Sequence, residues 1–133
     1  MNGKVFVDSS VWIAFFREAN GKARTVLQGL LEDGRAVIGK IVAAEILPFV
    51  KKDAEQKKIR GLFEEIETLP FHPEDWDALI TWSQKLCRKG LTPSIPDLVV
   101  ATLCLKDGSA LYTLDGHFKD FSKIIPLPLF DGE

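Results

Sequence analysis

Short apolar runs alternate along this chain with longer stretches in which apolar residues recur every three or four positions. Residues 4–7 (KVFV) form a β-prone run ending at Asp8, and Ser9 and Ser10 then stand where a helix begins, carrying Val11, Trp12, Ile13, Phe15 and Phe16. After Gly21 a second helical pattern (KARTVLQGLLEDG) puts Ala23, Val26, Leu27, Leu30 and Leu31 on one face and exits at Asp33-Gly34. Residues 36–38 read as a short second strand broken by Gly39. Residues 41–50 (IVAAEILPFV) read as a buried helix, because Ala-Ala-Glu has little β preference. Residues 51–67 are charged and helical, with Ile59, Leu62, Phe63 and Ile66 at helix spacing, and residues 68–71 resemble a third strand.

Pro73-Glu74-Asp75 opens a helix that runs through Lys89, with acids in its first turn and Lys85, Arg88 and Lys89 in its last, as the helix dipole favours. Along it Trp76, Leu79, Ile80, Ser83 and Cys87 have core spacing, with Trp82 at the edge of the stripe. Ser94 starts a further helix closed by Gly108, residues 110–114 form a fourth strand, and residues 123–126 a short fifth. Strands alternating with helices predict an α/β/α sandwich: a mainly parallel sheet of about five strands with helices on both faces. Ligands of such sheets bind beyond the carboxyl ends of the strands. Asp8 directly follows the first strand and Asp115 the fourth, so both are expected on that edge.

Length and composition narrow the picture. At 133 residues, 46% of them apolar and 10% aromatic, residues 1–133 are expected to form a single domain with one packed core. Cys87 and Cys104 form no CxxC or Cys/His cluster, so a reduced, cytoplasmic setting is expected rather than a disulfide scaffold. The start of the sequence shows no charged-then-apolar leader, and no apolar run approaches the roughly 20 residues of a membrane span.

The acidic residues fall in a recognisable order. VDSSVWIAF around Asp8, AAEIL around Glu45, TPSIPDLVVAT around Asp97 and LYTLDGHF around Asp115 resemble the four acidic motifs of PIN-domain ribonucleases over nearly the whole chain. Among these, the chain looks most like VapC-type toxins of toxin–antitoxin pairs. The resemblance implies that Asp8, Glu45, Asp97 and Asp115 are catalytic carboxylates binding Mg²⁺ or Mn²⁺, that the substrate is RNA, and that a VapB-type antitoxin and a homodimer are the partners. An all-oxygen ligand set suits such hard cations better than zinc. Ser9 and Thr113 flank the acids in the family pattern and are candidates for hydrogen bonding to carboxylate, water or phosphate. His117 stands where a further acid is frequent in the family.

Each acid has a plainer explanation beside this one. Ser94-x-x-Asp97 fits an acidic variant of the helix capping box, Asp8 fits a turn or cap, and Asp115-Gly116 is an ordinary turn pair. Glu45 resists such an explanation, since a carboxylate within an Ile-Val-Ala-Ala-Glu-Ile-Leu run points towards the core, where it needs a cation or another partner. A net charge of −2 lacks the basic balance of a protein that binds nucleic acid mainly through phosphates, although clustered metal-binding carboxylates mask basic patches in a whole-chain sum. Lys51, Lys52, Lys57, Lys58 and Arg60 interleave with Asp53, Glu55, Glu64 and Glu65 as on a solvated helix. Arg17, Lys22 and Arg24 are within reach of a groove beside Asp8. Trp12, Phe15 and Phe16 exceed what one helix face needs, which leaves apolar surface for a second subunit or an inhibitory partner.

Other functions are expected to leave other traces. A PIN-like module that binds RNA or protein without cutting it has no need of all four acids, and a non-toxin RNA-processing nuclease shares them. A phospho-acceptor receiver domain needs paired acids after the first strand, but Ser9-Ser10 follow Asp8. A haloacid-dehalogenase-like phosphatase needs a second Asp where Ser10 stands.

Overall fold

A computed structural model of the chain describes residues 2–17 and 21–132. The first strand, β1 (Val5–Val7), is buried along its whole length, and helix α1 (Ser9–Arg17) follows, burying Val11 and Trp12. Helix α2 (Lys22–Glu32) stops where Gly34 takes a φ of +66°. The Gly34 amide then donates to the Leu31 carbonyl and the Arg35 amide to that of Leu30, which satisfies the last helical carbonyls. Strand β2 (Ala36–Gly39) leads into α3 (Lys40–Ile46). The expected helix over residues 41–50 is cut short, because Pro48 has no amide proton to continue it, and Leu47–Phe49 close as a single 3₁₀ turn.

Helix α4 (Asp53–Glu64), strand β3 (Glu67–Leu69), α5 (Asp75–Arg88), α6 (Ile95–Asp107) and β4 (Ala110–Tyr112) complete the layers. The strands pair in parallel in the order β3-β2-β1-β4, with Val5 opposite both Ala36 and Ala110. Right-handed crossovers from β1 through β2 to β3 put α1 to α4 on one face. The return from β3 to β4 crosses back over the sheet and puts α5 and α6 on the other. The chain thus changes direction between β1 and β4, and in parallel sheets that point opens the crevice beyond the strand ends.

Two expectations are corrected. The sheet has four strands among the described residues, not about five. Residues 123–126 do not pair with it, and the last contact is a single parallel bridge between Leu111 and Leu129. Pro126 and Pro128 have no amide proton to offer a neighbouring strand, so only the Pro128 carbonyl and the Phe130 amide engage Leu111, at 2.8 and 2.7 Å. Before them lies an unpredicted helix, α7 (His117–Ser122), which buries Phe118 and Phe121. The apolar stripe of α5 is also rotated from its expected phase. Leu79 and Leu86 are buried, whereas Trp76 and Ile80 are 46% and 58% exposed and Cys87 is exposed. The inward position belongs to Asp75, whose carboxylate accepts from Lys106 Nζ at 2.8 and 3.0 Å and from the His72 amide at 2.7 Å, pinning α5 to α6.

Gly39 sits where β2 meets α6. A Cβ there would lie 2.7 Å from Leu103 Cδ1 and 3.5 Å from the Phe6 ring, and both neighbours are buried. Gly39→Ala is expected to destabilise the fold by about 1–3 kcal/mol through overpacking. A lower urea midpoint at an unchanged denaturant slope is the outcome to look for; an unchanged midpoint contradicts the tight fit.

Candidate active site

Asp8 is only 6% exposed, at the carboxyl end of β1. Its Oδ2 accepts from Ser10 Oγ at 2.8 Å and from Thr113 Oγ1 at 2.7 Å, so β1, the first turn of α1 and the end of β4 close on one oxygen. The two hydroxyls lie 3.3 Å apart and themselves accept backbone amides, Ser10 that of Leu114 and Thr113 that of Asp115, both at 3.0 Å. The loop after β4 is thereby fastened to the start of α1. Of the two expected flanking residues, Thr113 reaches Asp8, and the second hydroxyl on it is that of Ser10 rather than Ser9. The signal was the pair of hydroxyls after Asp8, which divide between two acids, for Ser9 hydrogen-bonds the Glu45 side chain.

Glu45, on α3, is half-buried and faces this edge of the sheet rather than the core. Burial chiefly, then the charge of Asp8, and lastly that of Asp97 raise its pKa above the ordinary 4.5, against the Ser9 hydrogen bond, which lowers it. Asp97 lies in the first turn of α6. Ser94 caps that helix, its hydroxyl accepting the Asp97 amide at 3.3 Å, which is one half of a capping box. Among the described residues no hydrogen bond returns from the Asp97 carboxylate to the Ser94 amide. Burial first, and the charges of Asp115 and Asp8 after it, raise the Asp97 pKa above 3.8, with Ser94 and His117 opposing. Asp115 accepts the His117 amide at 2.9 Å, and the imidazole Nδ1 stands 3.1 Å from the same Oδ1. Charge coupling links Glu45 to Asp8 and Asp97, and Asp97 to Asp115 and Asp8; among the described residues, Asp97 and Asp115 approach closely, each with an oxygen within 4.8 Å of the other and of a His117 nitrogen, and Asp8 and Glu45 stand further off. Among the described residues none of the four pairs with Lys or Arg.

A family model described as PIN domain matches residues 5–124. The chain belongs to the PIN domain family. In fold this PIN domain is similar to a chain of VapBC2 from Rickettsia felis, solved bound to a promoter DNA fragment, with a TM-score of 0.78 and 20% identity over 95% of this chain and 96% of that one. It is likewise similar to a chain of DNA-bound VapBC from Salmonella typhimurium, with a TM-score of 0.77 and 18% identity over 98% of both chains. VapBC-1 from nontypeable Haemophilus influenzae has a similar chain as well, with a TM-score of 0.75 and 20% identity over 96% of this chain and 97% of that one. At such identities the likeness is one of fold. No curated protein matches the sequence.

A cavity of about 580 Å³ lined by residues such as Ala44, Pro48, Gln56 and Arg60 from α3 to α4 holds none of the four acids of this PIN domain, whereas Asp115 and Thr113 line another of about 380 Å³. Of the basic residues expected beside Asp8, Arg24 is committed elsewhere, donating to the Phe15 carbonyl at 2.6 Å and covering the Phe15 ring. Among the described residues no helix is long and apolar enough to cross a membrane.

The raised acids fix a pH dependence. Glu45 and Asp97 hold their protons more tightly in the folded PIN domain than in the unfolded chain. Their protonated forms favour folding fully below the ordinary values of 4.5 and 3.8, and that contribution is lost as pH rises through the raised folded values. In chelator, a Glu45→Gln, Asp97→Asn double variant is expected to melt above the wild type at pH 7.5, and the gap is expected to close as pH falls through the raised values towards the ordinary ones of 4.5 and 3.8. A gap independent of pH would mean that the fold does not hold the two carboxyl groups above their ordinary pKa values.

Proposed function

We propose that this PIN domain is a divalent-metal-dependent endoribonuclease that hydrolyses RNA phosphodiester bonds, with Asp8, Glu45, Asp97 and Asp115 as its catalytic, metal-binding carboxylates. One observation carries the reading: Glu45 and Asp97 are half-buried near Asp8 with their pKa values raised first by burial and then by neighbouring carboxylates, Asp8 and Asp97 for Glu45 and Asp115 and Asp8 for Asp97, and no Lys or Arg among the described residues pairs with them. Burying like charges opposes folding unless a cation intervenes, and a set of carboxylate oxygens suits Mg²⁺ or Mn²⁺. When bound, such an ion supplies a water acidic enough to attack phosphorus and offsets charge developing on the phosphate oxygens. Asp8 is oriented for ligation by Ser10 and Thr113, which occupy Oδ2 and leave Oδ1 for an ion. Ser9 steadies Glu45, and the amide hydrogen bonds of the 113–117 loop hold Asp115 towards Asp97. No side-chain nucleophile is required.

The same reading makes the chain the toxin of a type II toxin–antitoxin pair, working in the cytoplasm, with a VapB-type antitoxin and a second copy of itself as partners. The similar solved chains come from VapBC complexes. A groove of about 510 Å³ lined by Phe15, Phe16, Ile59 and Leu62, with Arg24, Glu55 and Lys58 around it, offers apolar surface to a partner segment. The test is incubation of the purified chain with cellular RNA. Discrete fragments in Mg²⁺ or Mn²⁺ and none in chelator are expected. RNA binding without cleavage in any metal, by a folded protein, would favour a binding module instead.

A further inference from the structure

We propose that His117 is a nitrogen ligand to the cation of the carboxylate site, and that it biases the site from Mg²⁺ towards Mn²⁺. This rests on the metal-site reading above. One nitrogen of His117, one oxygen of Asp97 and one oxygen of Asp115 lie within 4.8 Å of one another. Around one ion with bonds near 2.1 Å, opposite ligand atoms stand about 4.2 Å apart and adjacent ones about 3.0 Å, so the three side chains enclose an ion by turning inward. They come from three separate places: the first turn of α6, the loop after β4 and the start of α7. The backbone holds the imidazole there, since the His117 amide and Nδ1 both approach Asp115 Oδ1, at 2.9 and 3.1 Å. The ring is 74% exposed, which leaves it free to turn towards an ion.

The chemistry of the donor set gives the direction. Carboxylates and water suit Mg²⁺, which gains little from nitrogen, whereas imidazole is a good ligand for first-row transition ions. A neutral imidazole keeps one unprotonated nitrogen in either tautomer, so it can ligate while the other nitrogen donates to a carboxylate. An acid at this position would leave the site all-oxygen; histidine makes it mixed.

The test uses the untagged full chain, stripped with chelator and titrated calorimetrically with MnCl₂ and with MgCl₂, as wild type, His117→Ala, His117→Asp and Asp97→Asn. His117→Ala is expected to weaken Mn²⁺ binding roughly tenfold or more while changing Mg²⁺ binding by about twofold at most. His117→Asp is expected to narrow the Mn²⁺ to Mg²⁺ ratio by a similar factor. Pulsed electron paramagnetic resonance of the Mn²⁺-loaded wild type is expected to show ¹⁴N modulation from imidazole that His117→Ala removes. Equal weakening for both metals, unchanged Mn²⁺ affinity, or modulation that is absent from the wild type or persists in His117→Ala overturns the inference. Asp97→Asn separates the two levels: if it loses Mn²⁺ while His117→Ala keeps it, only the histidine ligand falls. If Asp97→Asn binds Mn²⁺ like the wild type, the carboxylate site itself is wrong.

Discussion

Asp97→Asn is expected to lower RNA cleavage by roughly 10²–10³-fold or more, the scale on which removing one preorganised electrostatic group acts on a developing charge. The substitution is nearly isosteric. The Ser94 hydroxyl accepts the Asp97 backbone amide, a bond that Asn keeps, so α6 keeps its start. What changes is charge: Asn no longer repels Asp115, Asp8 and Glu45, and the half-buried position stops disfavouring an ion. The metal-free variant is therefore expected to melt above the wild type while being almost inactive. A residue important only for folding gives the opposite, lost activity with lost stability. Asp8→Asn is expected to abolish cleavage similarly, because an amide oxygen still accepts from Ser10 and Thr113 but carries no charge to the ion. Cleavage at wild-type rates by either purified variant rules out the assigned roles.

Excess Mn²⁺ or Mg²⁺ is expected to raise the melting temperature of the wild type substantially. An ion that binds only the folded state stabilises it by about 2.7 kcal/mol at one hundred times its Kd. For a domain of this size that corresponds to roughly 8–14 °C. The gain combines ordinary ligand linkage with relief of repulsion among acids that have no basic partner. It is expected to shrink in Asp97→Asn, which has lost a ligand and part of the repulsion together. Calorimetric scans in excess metal and in chelator measure it directly. Equal melting temperatures in the two would show that the acids bind no ion.

Much of this was legible in the sequence where local chemistry decides the structure. Ser94 and Gly108 bound α6 because a hydroxyl cap and a glycine at φ +78° act within one turn of the helix. Asp33-Gly34 mark the end of α2 for the same reason. The acids were legible because a carboxylate that ends a buried strand, or interrupts an apolar helix, has few structural uses. Features set by distant contacts were not legible. Trp76 and Ile80 read as core until Lys106, 31 residues beyond Asp75, turns the Asp75 side of α5 inward. Helix α7 spans six residues, too few for a periodic pattern to stand out beside the prolines that follow. Ser10 was passed over for its neighbour, because spacing alone does not say which hydroxyl faces Asp8 and which faces Glu45. Nothing in the spacing ties His117 to Asp97, 20 residues earlier; the folded loop brings the two together.

The convergence of the four acids on a divalent cation is tested most directly by crystals grown with MnCl₂ and measured on both sides of the manganese absorption edge. An anomalous peak enclosed by Asp8, Glu45, Asp97 and Asp115, and absent from crystals of Asp97→Asn, is the predicted result. A well-ordered site with no peak among these carboxylates, or a peak only elsewhere on the molecule, would contradict it.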